Sequence, residues 1–245
     1  MNKGLFEASE EGTPQGGPLS PLLSNIMLNE LDKELERRGL PFVRYADDSM
    51  IFCKSKRAAM RVKESITRFI ENALYLKVNK EKTVVSYVRG VKYLGYSFYV
   101  MKGECQLTVH PKSKAKMKSK LKELTSRSNG WGYANRKQKL KEYIRGWVGY
   151  YHLANMKRLL LETDEWLRRR IRMCIWKAWK KAKTKVANLI ICGINKYQAY
   201  EWGNTRKGYW RIADSPILKR AIDNNKLRSA GYATLMGTYL EWHPK

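Results

Sequence analysis

The sequence predicts an α+β protein in which a mixed first part is followed by an α-helical, strongly basic second part. Short strand-like runs alternate with helical periodicity up to residue 110, and helical periodicity takes over after Pro111. Charge follows the same division: residues 1–100 hold 16 basic and 12 acidic side chains, whereas residues 101–245 hold 33 and 10. We therefore divide the chain into domains 1–110 and 111–245.

The first domain is expected to open with a loop and a helix. The Gly- and Pro-rich run GTPQGGPL at 12–19 predicts the loop. Ser20 as N-cap and Pro21 as the first helical residue then begin a helix that Gly39 ends. Its apolar stripe is Leu23, Ile26, Met27, Leu31 and Leu35.

A β-hairpin is predicted next, with two adjacent acids at its tip. Strands at 42–45 and 49–53 flank Asp47 and Asp48 in the run PFVRYADDSMIF. The remaining predicted elements of this domain are a helix at 56–76 and strand-like pieces at 83–87, 92–100 and 106–109. Together these elements make a small antiparallel sheet with two helices.

Helices dominate the prediction for the second domain. They are expected at 112–127, 136–154, 163–182 and 216–223, and the tail from residue 195 is expected to be helical in part. Thr163 is predicted to cap the third of these helices, with Asp164 and Glu165 in its first turn facing the positive end of the helix dipole.

Composition excludes several protein classes. Hydrophobic residues make up 43% of the chain, so it is not disordered, and no run of 18 apolar residues predicts a membrane span. We find no signal peptide pattern and expect a cytoplasmic protein. The four cysteines are widely separated, which argues against a zinc site or a disulfide framework.

The net charge of +27 predicts a polyanionic partner. An anionic membrane surface is the competing target. Eight Trp and 15 Tyr are present in the chain, and aromatic and basic side chains together suit phosphate contacts and base stacking. Nucleic acid is therefore the expected partner.

The acid pair at the hairpin tip suggests metal chemistry. Two neighbouring carboxylates raise each other's pKa, whereas a divalent cation makes their combined charge favourable. Oxygen ligands suit Mg²⁺, which keeps several waters and also binds substrate phosphate. The alternative is an ordinary β-turn, because Asp is common in turns.

Several motifs, taken in order, resemble those of group II intron reverse transcriptase/maturases. YADD at 45–48 resembles the reverse transcriptase active-site motif, and residues 12–32 resemble the segment that precedes it. The further matching motifs are NKEKT at 79–83, KYLGYSF at 92–98, YIRGWVGYY at 143–151 and DEWLRRRIRMCIWKAWKK at 164–181. The resemblance implies a partial reverse transcriptase palm at 1–110 and a maturase-specific, RNA-binding thumb, or domain X, at 111–245.

The resemblance also assigns roles to individual residues. Asp47 is implied as the principal metal ligand and Asp48 as the secondary one. The implied nucleotide-binding residues are Gln15, Gly16, Gly17 and Lys82. The implied primer grip is Tyr93, Leu94, Gly95 and Tyr96. The implied RNA contacts are Arg145, Arg168, Arg169 and Arg172. For each group the alternative stays open: a structural turn, a surface lysine, an ordinary strand or a solvated basic face.

Family polymerases use a third carboxylate on a segment ahead of the Gly-rich loop. Glu7, Glu10 and Glu11 precede the loop here without a strand pattern, so none is a convincing substitute. We therefore expect Mg²⁺ to be held weakly and the chain alone to be inactive as an RNA-directed DNA polymerase.

Three interpretations of the function remain open. The chain is part of a larger or split enzyme for splicing and retrotransposition, a non-catalytic RNA-binding splicing cofactor, or a decayed gene fragment. The partners implied are intron RNA, an RNA template with a DNA primer, and a separately encoded N-terminal half of the enzyme.

Overall fold

A computed structural model describes residues 17–243 of the chain. These residues fall into two compact units, one ending at Tyr93 and the other beginning at Leu94. The elements combine α-helices with small antiparallel sheets, which confirms the predicted α+β class.

The first unit holds the predicted helix–hairpin–helix order. Helix α1 (Ser20–Arg37) is followed by strands β1 (Phe42–Tyr45) and β2 (Asp48–Ile51), and then by helix α2 (Lys56–Asn72). A 3₁₀ turn at Val88–Gly90 and the short strand β3 (Lys92–Tyr93) complete the unit. The strand predicted at 83–87 is wrong, because those residues form no regular element.

The core of the first unit is small. Leu31 and Leu35 of α1 are buried against Ile66 of α2 and Leu74 beyond it. The N-terminal half of the predicted α1 stripe is instead exposed, with Leu23 at 45%, Ile26 at 61% and Met27 at 46% of their full accessibility. Only the C-terminal half of the stripe therefore contributes to this core.

The second unit opens with an antiparallel hairpin. Its strands are β4 (Tyr96–Met101) and β5 (Glu104–Val109), paired so that Tyr96 lies opposite Val109. The predicted domain boundary at residue 110 directly follows β5, inside this unit, and stays a prediction about where the family domains meet.

Helices make up the rest of the second unit. The longer ones are α3 (Pro111–Leu124), α4 (Tyr133–Tyr151), α5 (Lys157–Ala178) and α6 (Ala182–Ile191). The shorter ones are α7 (Lys196–Gly203), α8 (Tyr209–Ile212), α9 (Pro216–Ala221), α10 (Asn224–Ser229) and α11 (Leu235–Glu241). One buried apolar cluster runs through the unit from Val109 on the hairpin to Tyr239 on α11.

Helix α5 begins earlier than predicted, which changes the role of its acid. The helix starts at Lys157, so Thr163 lies inside it and its hydroxyl donates to the carbonyl of Leu159 at 2.7 Å. Buried Asp164 accepts hydrogen bonds from the backbone N–H groups of Leu235 (2.8 Å) and Met236 (2.9 Å). The carboxylate therefore caps the N-terminus of α11 instead of its own helix.

Among residues 17–243, no helix is both long enough and apolar enough to cross a membrane.

Candidate active-site hairpin and nucleic-acid surface

The acid pair lies at the tip of the β1–β2 hairpin, as predicted. Tyr45 pairs with Asp48, so Ala46 and Asp47 form a two-residue loop and Asp48 is the first residue of β2. Ala46 has a φ of 53°, a left-handed conformation that costs a non-glycine residue about 1–3 kcal/mol. Both carboxylate side chains are exposed. The hairpin therefore presents adjacent, accessible carboxylate oxygens beside a strained turn residue.

Arg44 braces this turn from strand β1. Its Nε donates to Asp32 Oδ1 at 2.7 Å, and its Nη2 donates to Asp32 Oδ2. Nη1 donates both to Asn25 Oδ1 at 3.1 Å and to the carbonyl oxygen of Ala46 at 3.0 Å. One guanidinium thus ties helix α1 to the strained residue beside Asp47, and the pKa of Arg44 is raised, chiefly by its hydrogen bond to Asp32.

Arg44 and Asp32 are not among the predicted site residues, although the sequence carries a signal for Arg44. Arg44 lies in the otherwise apolar and aromatic run FVRY, and a charged side chain in a short strand needs a partner if it is to be buried. The sequence does not identify that partner, because Asp32 lies on a different element.

Tyr93 lies near the acid pair within the first unit. Burial raises the pKa of its phenol, the charge of Asp48 raises it further, and the charge of Arg44 opposes the shift. Its hydroxyl is buried and has no hydrogen-bond partner among the described residues. A protonated donor is therefore available close to Asp48.

The predicted nucleotide-binding residues are only partly described. Gln15 and Gly16 lie outside the described residues. Gly17 is half-buried, and its carbonyl accepts a hydrogen bond from the backbone N–H of Ser20 at 3.2 Å. Lys82 is exposed on a turn in which Asn79 Oδ1 accepts from the backbone N–H of Lys82 at 3.1 Å. The loop is attached to α2, because Lys63 Nζ donates to the carbonyl of Thr83 at 2.6 Å.

Residues 17–243 contain no cluster of three or more His, Cys, Asp or Glu side chains that could hold a metal ion. The metal-binding role of Asp47 and Asp48 therefore stays a prediction.

The remaining residues of the predicted primer grip form a tight turn in the second unit. Leu94 has a φ of 49° and Gly95 a φ of 81°. A Cβ added at Gly95 would clash with the hydroxyl oxygen of Tyr151 at a φ that other residues rarely adopt, so any substitution there would force the Tyr151 side chain to move. The Tyr150 hydroxyl donates to the Leu94 carbonyl at 2.9 Å.

Tyr96 forms a second hydrogen bond between this turn and Tyr150, with donor and acceptor roles exchanged. Its hydroxyl donates to the carbonyl of Tyr150 at 2.5 Å, and burial, with smaller contributions from Tyr150 and Tyr151, raises its pKa to about 12. The phenol therefore remains a donor throughout the working pH range. Two reciprocal hydrogen bonds hold the strained turn against helix α4.

The four predicted RNA-contact arginines have different surroundings. Arg145 on α4 is exposed, and Arg168 on α5 is half-buried. Arg169 forms an ion pair with Asp214 at 3.2 Å, and its Nη2 donates to the carbonyl of Trp210 at 3.0 Å. Arg172 is only 6% exposed, and its guanidinium donates to the Ile222 carbonyl and to Asn224 Oδ1. Arg172 therefore joins α5 to the segment that begins α10, and its burial argues against a phosphate contact.

Two protein families match this chain. The reverse transcriptase (RNA-dependent DNA polymerase) family matches residues 2–98. The group II intron maturase-specific domain matches residues 114–190.

Individual relatives cover parts of the chain. Protein YkfC of Escherichia coli strain K12 is 34% identical over 39% of this chain and 34% of its own length. The group II intron-encoded protein LtrA of Lactococcus lactis subsp. cremoris is 28% identical over 39% of this chain and 27% of its own length. The retron Ec86 reverse transcriptase of Escherichia coli is 32% identical over 30% of this chain and 24% of its own length. The chain thus spans about a third or less of the length of these curated relatives.

Proposed function

We propose that this chain, which belongs to the group II intron reverse transcriptase/maturase family, binds intron RNA and supplies part of an RNA-directed DNA polymerase site. The observation that carries the proposal is the exposed Asp47–Asp48 pair on a strained hairpin that Arg44 braces. Assistance in splicing and retrotransposition follows from the same family membership.

Reverse transcriptases use a divalent metal ion, and we propose Mg²⁺ for this chain. Two exposed carboxylates fit this ion, which proteins commonly bind through one or two carboxylates together with water and substrate phosphate. When bound, Mg²⁺ stabilises negative charge on the transferring phosphoryl group and activates the attacking hydroxyl. Asp47 is the principal ligand in this proposal and Asp48 the secondary one.

The surrounding residues have positioning and binding roles in this proposal. Arg44 fixes the turn, so that the carboxylates do not have to be ordered when metal and nucleotide arrive. Gly17, with Gln15 and Gly16, lines the nucleotide site, and Lys82 meets the triphosphate as a point charge. The 93–96 turn holds the 3′ end of the primer, and α4 supports its last three residues.

RNA binding is assigned to the second unit. Residues 101–245 carry 33 basic and 10 acidic side chains, an imbalance that favours phosphate contacts. Exposed Arg145 and half-buried Arg168 are the better placed of the predicted contacts, whereas Arg169 is already paired with Asp214 and Arg172 is buried.

Family polymerases use three carboxylates, and we propose that a further protein segment supplies the third, within one chain or as a separate half. The test is extension of an oligo(dT) primer on poly(rA) by the purified chain, with and without an added N-terminal half of a family enzyme. We expect synthesis only with the added half and its loss in the Asp47→Ala variant. Activity that survives Asp47→Ala would place the metal site elsewhere.

A second candidate function is that of a splicing cofactor without polymerase activity. It is favoured by the continuous core of the second unit, which contrasts with the small core of the first unit, where the acid pair lies. The assay is intron splicing at limiting Mg²⁺. If the chain accelerates splicing equally with and without Asp47→Ala, the cofactor role stands apart from nucleotide transfer.

A further inference from the structure

Residues 206–211 form an exposed segment in which basic side chains flank a pair of aromatic ones. The sequence is RKGYWR, and all of its residues are exposed, including Tyr209 at 36% and Trp210 at 39%. A Cβ added at Gly208 would meet nothing within 4 Å, so the backbone here faces open space. The segment lies outside both family matches, which cover residues 2–98 and 114–190.

Arginines from other elements hold both aromatic rings. The guanidinium carbon of Arg169, on α5, lies 4.0 Å from the ring centroid of Trp210. That of Arg127, in the connection between α3 and α4, lies 5.1 Å from the ring centroid of Tyr209. Cation–π contacts of this kind fix the rings before a ligand arrives, which lowers the entropy cost of binding.

Positive charge around the two rings is only weakly balanced. Among residues 17–243, Asp214 is the acid that forms ion pairs in this region, with Arg169 at 3.2 Å and with Lys219 at 2.8 Å. The segment itself carries three cations, Arg206, Lys207 and Arg211. Two more, Arg127 and Arg169, lie over its rings, and Lys219 pairs with Asp214. A ligand that combines negative charge with flat apolar faces suits this surface.

We propose that segment 206–211 is a binding site for single-stranded nucleic acid. Bases stack on Trp210 and Tyr209, and Arg206, Lys207 and Arg211 contact the phosphates. Duplex nucleic acid fits less well, because its bases are already stacked on one another. The inference rests on the proposed function, since it assigns one strand-binding site within the same RNA-binding unit.

The test compares single strands with a duplex. Affinities of the full chain are measured by fluorescence anisotropy for a uridine 12-mer, a thymidine 12-mer and a 12-base-pair RNA duplex. Trp210→Ala should weaken binding of the uridine strand about 5- to 150-fold, the fold-change that corresponds to about 1–3 kcal/mol per stacked base. The duplex affinity should change less than twofold, and Trp210→Phe should restore most of the single-strand affinity.

Trp242→Ala is the matched control, because Trp242 is also an exposed tryptophan of this unit, at 50%, but stacks on His152 instead of an arginine. Its single-strand affinity should equal that of the unmodified chain. Equal losses in the Trp210→Ala and Trp242→Ala variants, or no loss in Trp210→Ala, would overturn the site. Equal losses for strand and duplex would also overturn it.

Salt dependence separates stacking from phosphate contacts. Trp210→Ala should leave the slope of log affinity against log salt unchanged. The triple variant Arg206→Gln, Lys207→Gln, Arg211→Gln should reduce the magnitude of that slope by about 2, because each lost phosphate contact with a single strand removes roughly 0.7. An unchanged slope in the triple variant would refute the phosphate contacts.

Two further arms identify the ligand. Parallel losses for the uridine and thymidine strands indicate recognition by stacking, and a loss confined to the uridine strand assigns the site to RNA. Loss of binding to phosphatidylserine vesicles without loss of strand binding would overturn the assignment in favour of a membrane. Failure of these tests while the unmodified chain still binds intron RNA would reject segment 206–211 and leave the proposed function standing.

Discussion

Replacing Arg44 tests whether the acid-bearing turn depends on its brace. The Arg44 and Asp32 side chains are 13% and 22% exposed, so the pair lies between a surface ion pair and a buried one. A surface pair contributes about 0–1 kcal/mol, whereas breaking a buried pair costs about 3–5 kcal/mol. We therefore expect Arg44→Met to lower the free energy of unfolding of the first unit by about 2 kcal/mol.

The chain itself offers a way to measure this loss in one unit. All eight tryptophans follow Leu94, so tryptophan fluorescence reports on the second unit and far-UV circular dichroism reports on both. Arg44→Met should move the urea transition seen by circular dichroism, with the fluorescence transition unchanged. Arg44→Lys keeps the charge without the bidentate geometry and should cost roughly half as much.

A double-mutant cycle isolates the pair itself. Arg44→Met combined with Asp32→Leu should show a coupling energy of about 1–2 kcal/mol, because each single variant leaves one partly buried charge unpaired. A coupling below about 0.5 kcal/mol, a value usual for independent sites, would refute the brace.

Other predictions concern the second unit. Gly95→Ala should destabilise it by roughly 2–4 kcal/mol in thermal unfolding followed by fluorescence, because the new Cβ meets the Tyr151 hydroxyl at a positive φ; Gly103→Ala, also at positive φ but in open space, is the control and should cost less. Burial raises the folded-state pKa of Asp164, so its contribution favours folding below its unfolded pKa and is lost as pH rises through the folded one. The free energy of unfolding of the unmodified chain, minus that of Asp164→Asn, should therefore increase as pH falls from 7 to 4. Urea unfolding measures this difference, and a pH-independent value would contradict the prediction. Burial also raises the pKa of the Cys174 thiol, so a thiol-specific reagent should modify exposed Cys105 well before Cys174, and equal rates would show that the core opens readily.

Local sequence predicted the elements well where their cause is local. The α1 and hairpin positions follow from Pro21, Gly39 and the apolar runs around Asp47 and Asp48. These signals act over a few residues, so they can be read without tertiary context. The acid pair itself could be placed at a hairpin tip for the same reason.

Predictions failed where a distant residue decided the outcome. Asp164 looked like a helix-start acid, but its partners are the backbone groups of α11, far along the chain. Arg172 looked like a member of a basic cluster, yet the Ile222 carbonyl and Asn224 hold it in the interior. Residues 83–87, predicted as a strand, instead form a loop that hydrogen bonds with Asn79 and Lys63 hold in place.

The uncovered half of α1 affects how the protein must be handled. Leu19, Leu22, Leu23, Ile26 and Met27 are between 45% and 63% exposed, whereas the net charge of +27 makes copies of the chain repel one another. Salt shortens the range of that repulsion to about 3 Å at 1 M but does not weaken contacts between apolar side chains. We therefore expect a high-salt wash, used to remove bound RNA, to be also the condition under which the purified protein aggregates most readily.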